Sequence, residues 1–364
     1  CLVSKRWRAT ALSHPWFWRR IYINMSTGSC VTYECAMRWF RRSGAQSAKS
    51  LWVEAPATCN HEHYQEDEDE ECALEDEELV RILVEGPALE KLTIACMSPG
   101  CLHRLLQRMA CSRSQKARLW GSIKTIQLVF RKDWDLPAFT SALKDIGRHS
   151  TNLASLNLWL PWRWNLLING HMHEDKSLVI KVPTGLLSRL TSLTLGCDWE
   201  YTRILHVLRS CSSLKQLTLG HPHAQSGDAD EERPPQQVDL SALQTLTLKS
   251  PPSYSTRFLQ LLNTPSLVEL DIDFFATGGN LTEEFSSCIV SISQKCTPGL
   301  QKLRLRTARV GSQILAEMLH DLPFLTHLTL EAVRFDMKGP TFLEILRGFS
   351  PPPLQHIEEL RLLG

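Results

Sequence analysis

No stretch of this 364-residue chain approaches the ~18–20 apolar residues that crossing a bilayer takes, and its basic, tryptophan-rich beginning lacks a secretory signal's apolar run. A cytoplasmic or nuclear home is expected, with no membrane partner. Net charge is almost missing too: 40 Lys+Arg against 39 Asp+Glu leave +1, so no overall field draws the chain to nucleic acid. None of the twelve cysteines forms a C-x-x-C pair, and Cys96, Cys197 and Cys211 stand where a small buried apolar residue would serve. Reduced thiols fit this usage better than a disulfide framework.

Chemistry-bearing motifs are missing as well. The sequence has no G-x-G-x-x-G, Walker loop, G-x-S-x-G or H-E-x-x-H, so neither catalytic residues nor a cofactor are expected and the chain reads as a non-enzyme. Three His-x-His pairs occur, at His61/His63, His171/His173 and His221/His223. Zinc needs about four converging ligands, and none of these pairs has a second spaced pair of the usual kind. They read as solvated loop histidines, and no metal is expected.

What the chain does have is the composition of a soluble protein with a sizeable core, 43% hydrophobic and 22% charged. Its charge is unevenly placed: residues 1–50 carry nine Lys/Arg and one acidic residue, while residues 51–100 carry fourteen Asp/Glu and two basic ones. The run Glu66 to Glu71 would repel itself if packed, so a disordered acidic insertion is expected near 60–76, before a helix starting near Asp76. A second loop is expected near 222–237.

One phrase, L-x-x-L-x-L, dominates the sequence. Copies begin at Leu89, Ile123, Leu153, Leu190, Leu214, Leu243, Leu267, Leu300, Leu325 and Ile357, and a degenerate copy, Ala48 to Val53, opens the series. The last two apolar positions alternate as a short half-buried strand does, and the first packs where the chain turns into that strand. Between phrases lie segments of helical spacing, such as Leu102-Leu105-Leu106-Met109 and Ile314-Leu315-Met318-Leu319. No strand-plus-helix unit can bury its own apolar face, so the units must stack. The expectation is an α/β, irregular leucine-rich-repeat solenoid over residues 26–364, with a parallel sheet on the concave face and helices on the convex face. Phrase spacings of 24 to 41 residues make it irregular.

Residues beside the phrase leucines should line the sheet's open face. There Glu269, Asp271 and Asp273 precede Lys302, Arg304 and Arg306 at equivalent positions, so three opposite-charge pairs can form across the ladder, or the charges can meet a partner. Trp159, Trp162, Trp164 and Trp199 are either an interface hot spot or plugs at the rim of the core. With Arg304 and Arg306 they are the candidate partner-binding residues.

The opening residues place Val3, Trp7 and Ala11 four apart on one helical face, Pro15 as the break, and Trp18 where it can fold back. With Ile21, these match the hydrophobic positions of the second half of an F-box, which residues 1–25 resemble. The repeats that follow look like those of F-box proteins from mushroom-type fungi. The resemblance implies a partial F-box whose first helix lies upstream of Cys1, with Val3, Trp7, Ala11, Pro15 and Trp18 as adaptor-binding residues. It further implies the substrate-recognition subunit of an SCF-type ubiquitin ligase, working with a Skp-type adaptor, a cullin scaffold and a protein substrate, and monomeric outside that complex. The alternative is a repeat scaffold without a ligase role, its first segment an amphipathic cap.

Overall fold

The structure, a computed structural model, describes residues 4–27, 31–56, 72–111, 120–131, 134–161, 180–220, 236–251, 255–274, 280–297, 299–335, 341–349 and 354–363. The chain forms two compact units, Cys1–Leu186 and Leu187–Gly364. Val3, Trp162, Trp164, the three His-x-His pairs, the acidic run and most of the second expected loop lie outside the described residues.

Unit one opens with helix α1 (Lys5–Ser13) and a 3-10 turn (Pro15–Trp18). Strands and helices then alternate: β1 (Arg20–Asn24), α2 (Tyr33–Arg42), β2 (Ser50–Glu54), α3 (Glu77–Glu85), β3 (Lys91–Cys96), α4 (Pro99–Cys111), β4 (Thr125–Phe130), α5 (Leu136–His149) and β5 (Ser155–Trp159). The five strands pair in parallel in chain order. Their register lines up equivalent phrase positions, Ile21, Leu51, Leu92, Ile126 and Leu156 in one row and Ile23, Val53, Ile94, Leu128 and Leu158 in the next. All ten are buried against the helix layer, and each contributes about 1.5–3 kcal/mol by leaving water.

Helix starts follow from local chemistry. Asp76 accepts from the Leu79 N–H at 2.9 Å, Asp135 from Ala138 at 3.1 Å and Thr32 from Cys35 at 3.4 Å, each satisfying a backbone donor that the first helical turn leaves open. The helix expected near Asp76 begins there.

The sheet starts one strand earlier than the phrase series indicates. Trp18-Arg-Arg-Ile21-Tyr-Ile23 is itself a degenerate phrase, with tryptophan in the place of the leading leucine, and β1 pairs with β2 along its whole length. The boundary at residue 25 is therefore corrected: Ile21 belongs to the repeat core, and the helical segment ahead of the sheet ends by Arg19.

Unit two runs β6 (Ser192–Gly196), α6 (Tyr201–Leu208), β7 (Gln216–Gly220), β8 (Val238–Asp239), β9 (Thr245–Lys249), α7 (Ser255–Gln260), β10 (Leu262–Asn263), β11 (Glu269–Asp273) and β12 (Asn280–Leu281). It continues with α8 (Glu283–Lys295), β13 (Lys302–Arg306), β14 (Arg309–Val310), α9 (Ser312–His320), β15 (His327–Glu331), β16 (Arg334–Phe335), α10 (Phe342–Gly348) and β17 (Glu359–Leu363). The five-residue strands β6, β7, β9, β11, β13, β15 and β17 form one parallel ladder. The two-residue strands make side ladders, β8 with β10 and β12 with β14 and β16. Leu193, Leu217, Leu246, Leu270, Leu303 and Leu328 are buried at equivalent positions, whereas Leu360 and Leu362 of β17 are 46% and 63% exposed.

The chain reaches each strand in a repeated way. The carbonyl just ahead of one strand accepts from two successive N–H groups at the next: Thr191 from Lys215 and Gln216, Lys215 from Gln244 and Thr245, Val268 from Gln301 and Lys302. The departure recurs too. Ser250, Thr307 and Ala332 follow β9, β13 and β15 directly, with φ of 50°, 56° and 51°. Such left-handed turns cost roughly 1–2 kcal/mol each for non-glycine residues. The N–H groups of Thr307 and Ala332 keep ladder bonds of 2.8 and 2.7 Å to Glu331 and Leu363, which offset that strain. Gly299 (φ +108°) is required, since a Cβ there would lie 2.6 Å from the Phe324 ring.

Candidate functional site

The amino-terminal segment folds as its spacing dictates. Ser4 caps α1, accepting from the Trp7 N–H at 3.3 Å, Pro15 starts the 3-10 turn, and the Trp18 indole N–H donates to the Ala11 carbonyl at 2.7 Å. Trp18 meets the Trp39 ring of α2 edge-on at 4.6 Å, and the Arg42 guanidinium lies 4.7 Å from its ring centre. One indole thus ties α1 to the first repeat helix. No residue of α1 is buried, and Trp7, Leu12, Trp16 and Phe17 are 62%, 46%, 57% and 40% exposed. Lys5, Arg6, Arg8 and Arg19 stand in the same segment and are exposed, with no acidic residue among them. The segment offers a cationic, aromatic surface.

On unit one's open face, Tyr22 and Trp52 pair across β1 and β2 and are half exposed, their rings edge-to-face at 5.5 Å. The Tyr22 hydroxyl donates to Glu54, and the Arg131 guanidinium, arriving just after β4, also bonds Glu54. These two donors pull the Glu54 carboxyl below its ordinary range, while the same bond pushes the Tyr22 phenol up. The Arg131–Glu54 link passes over β3 at Ala95, where a larger side chain would stand in its way. Thr93 and Ala95 project from this face yet are 3% and 2% exposed, so taller neighbours cover them. Trp159, at the end of β5, is partly buried on the same face.

Unit two's open face is ionic. The register pairs Glu269 with Lys302, Asp271 with Arg304 and Asp273 with Arg306. One ion pair follows the register, Arg306 with Asp273, and the others run diagonally. Arg306 takes both aspartates, with its Nη2 3.0 Å from Asp271 and its Nη1 3.4 Å from Asp273. Arg304 turns the other way, to Glu331 of β15 at 2.5 Å. Of the three straight pairs expected, Asp273–Arg306 forms, while the other two are corrected: Arg306 also bridges to Asp271, and Arg304 reaches diagonally to Glu331. A guanidinium with donors on two sides can satisfy two carboxylates at once, and this releases its neighbour. His327 lies 3.9 Å from Glu359, which Arg361 also bonds at 2.5 Å.

Trp199 is fully buried, so it is a plug and is removed from the hot-spot candidates, because an enclosed indole offers no surface to a partner. Tyr22 and Trp52 were missed as candidates. Their signal was their place between the two apolar residues of a phrase, in Ile21-Tyr22-Ile23 and Leu51-Trp52-Val53, but both phrases lack the leading leucine. Among the described residues no three His, Cys, Asp or Glu side chains converge as a metal ion would require. No helix among them is long and apolar enough to cross a membrane.

The fold is a leucine-rich-repeat solenoid in each unit, shown by strand–helix repeats, parallel in-register ladders and leucine rows. No family model matches the chain, and no curated protein does. Among solved structures it is similar to TLR13 in its complex with ssRNA13, with 14% identity and a TM-score of 0.40 over 79% of this chain and 37% of that one. It is also similar to the Toll–Spatzle complex of Drosophila, with 13% identity and a TM-score of 0.25 over 76% of this chain and 51% of that one. The chain therefore spans between about a third and a half of the lengths of these structures.

Proposed function

We propose that the protein is a binding scaffold whose repeat face holds a protein partner, and that its amino-terminal segment is the second half of an F-box, making it a substrate receptor of an SCF-type ubiquitin ligase. The observation that carries this is the amino-terminal geometry. Trp7, Ala11, Pro15 and Trp18 form a helix, a break and a fold-back anchored to the first repeat, and the outer side stays apolar and basic. A cap would bury its own apolar residues against the sheet end, whereas α1 buries none. Such a receptor does no bond chemistry: it raises the effective concentration of a substrate lysine beside a ubiquitin-loaded enzyme held by a cullin scaffold.

The test is co-purification of a Skp-type adaptor with the full-length gene product. The adaptor is expected to come down with the wild-type chain and to be lost with Trp7→Asp, a change at a 62% exposed side chain, with an unchanged thermal melt as the control for folding. A wild-type chain that leaves the adaptor behind reduces the reading to a repeat scaffold alone.

A further inference from the structure

The open face of unit one carries an unassigned feature. In register across β1, β2 and β3 lie Arg20, Ser50 and Lys91, and two residues further along the strands lie Tyr22, Trp52 and Thr93. Arg20 and Lys91 are exposed, and neither has an ion pair among the described residues. The carboxylate on this patch, Glu54, is already held by Tyr22 and Arg131. An incoming anion therefore meets two uncommitted cations and a neutralised acid. Neighbouring strands lie ~4.8 Å apart, so the two cations stand roughly 10 Å apart, with the aromatic pair about 7 Å along the strands.

The chemistry of the next strands narrows the ligand. On β4 and β5 the same rows hold Thr125, Gln127 and Val129, then Ser155, Asn157 and Trp159, with no cation among them. A nucleic-acid backbone needs a continuing track of Lys and Arg for its phosphates, and here the track ends at β3. Amides and hydroxyls suit a peptide main chain instead.

We propose that this face binds an extended acidic peptide segment, its carboxylates on Arg20 and Lys91, an apolar side chain on the Tyr22–Trp52 pair above Thr93, and its main chain toward Gln127 and Asn157. This deepens the scaffold part of the function proposed above and rests on it, while needing none of the ligase part. The Arg131–Glu54 link fixes the aromatic pair in place, so little ordering is left to binding.

The test is selection of a displayed library of random dodecapeptides on the full chain, compared with Trp52→Ala and with Arg20→Glu/Lys91→Glu. Clones specific to the wild type are expected to combine Asp or Glu with a Leu, Phe, Tyr or Pro. As synthetic fluorescent peptides they should lose at least tenfold in affinity on either variant, by anisotropy, and keep it on Thr247→Ala of unit two. Basic or neutral clones, clones that bind the variants equally, or no enrichment over the variants would each overturn the proposal. Tighter binding of a dT12 oligonucleotide than of the peptides would overturn it in favour of nucleic acid. Should Trp52→Ala alter the thermal melt, the exposed Arg20→Glu/Lys91→Glu pair decides alone. Adaptor capture through α1 is measured separately on the same variants, so failure of the peptide site and failure of the ligase reading give different results.

Discussion

The open face of unit one is organised around rings, that of unit two around ions. Both rest on the same backbone: parallel five- or six-residue strands in register, with apolar rows turned to the helices. The residues between those rows differ. In unit one, one carboxylate locks two donors and leaves two aromatic rings open. In unit two, Arg306 neutralises two aspartates and Arg304 one glutamate, so charge is spent internally and the face is close to balanced. The repeat sets where a surface residue stands, and the two or three positions beside its leucines set what the surface can recognise.

The largest expected effects test whether buried and open tryptophans really differ. Trp199→Ala in unit two should cost about 3–5 kcal/mol in denaturant unfolding, since it empties an enclosed site, whereas Trp52→Ala in unit one should cost under about 1 kcal/mol. Similar losses for both would erase the distinction between plug and surface.

Next comes the ionic ladder. Arg306→Ala leaves Asp271 and Asp273 facing each other without a countercharge in a partly screened site and should cost about 1–2 kcal/mol, while Arg304→Ala should cost about 0.5 kcal/mol or less. If the order is reversed, Arg304 and not Arg306 is the keystone of the ladder.

Acid should separate the faces by a smaller amount. The folded Glu54 carboxyl titrates below its unfolded value, so its contribution is fully present above the ordinary carboxylate pKa of ~4.3 and is lost as pH falls through the lower folded value. Protection factors along β1 and β2, observed exchange corrected for the intrinsic rate at each pH, should fall over that window in the wild type and change less in Glu54→Gln. Smallest of all, raising salt to about 1 M should weaken Arg304–Glu331 and leave the Tyr22–Trp52 contact unchanged, as read by segment-resolved exchange.

The repeat architecture was legible because burial writes its period into the sequence: each L-x-x-L-x-L phrase in the described ladders is a parallel strand with its leucines inward, apart from the exposed pair on β17. The first strand was hidden because Trp18 and two isoleucines do the work of three leucines. Of the ion pairs, Asp273–Arg306 was legible from strand position, whereas Arg306–Asp271 and Arg304–Glu331 were not, because a long guanidinium chooses among carboxylates within reach by geometry that no spacing encodes. Trp159 follows the last leucine of its phrase directly and is partly buried, whereas Trp199 lies four residues past its own and is enclosed, and that depends on the path of the chain beyond the strand.

The buried thiols of unit two have a consequence of their own. Burial pushes Cys197 and Cys211 up to about 12 and Cys288 up to about 11, so at neutral pH these sulfurs hold almost no thiolate while folded. Cys35 and Cys111 in unit one lie at the surface. An alkylating reagent would mark the surface pair at once and reach the enclosed sulfurs only when their own repeats open. Unit two thus carries native clocks, spaced along its repeats, that time the breathing of each one.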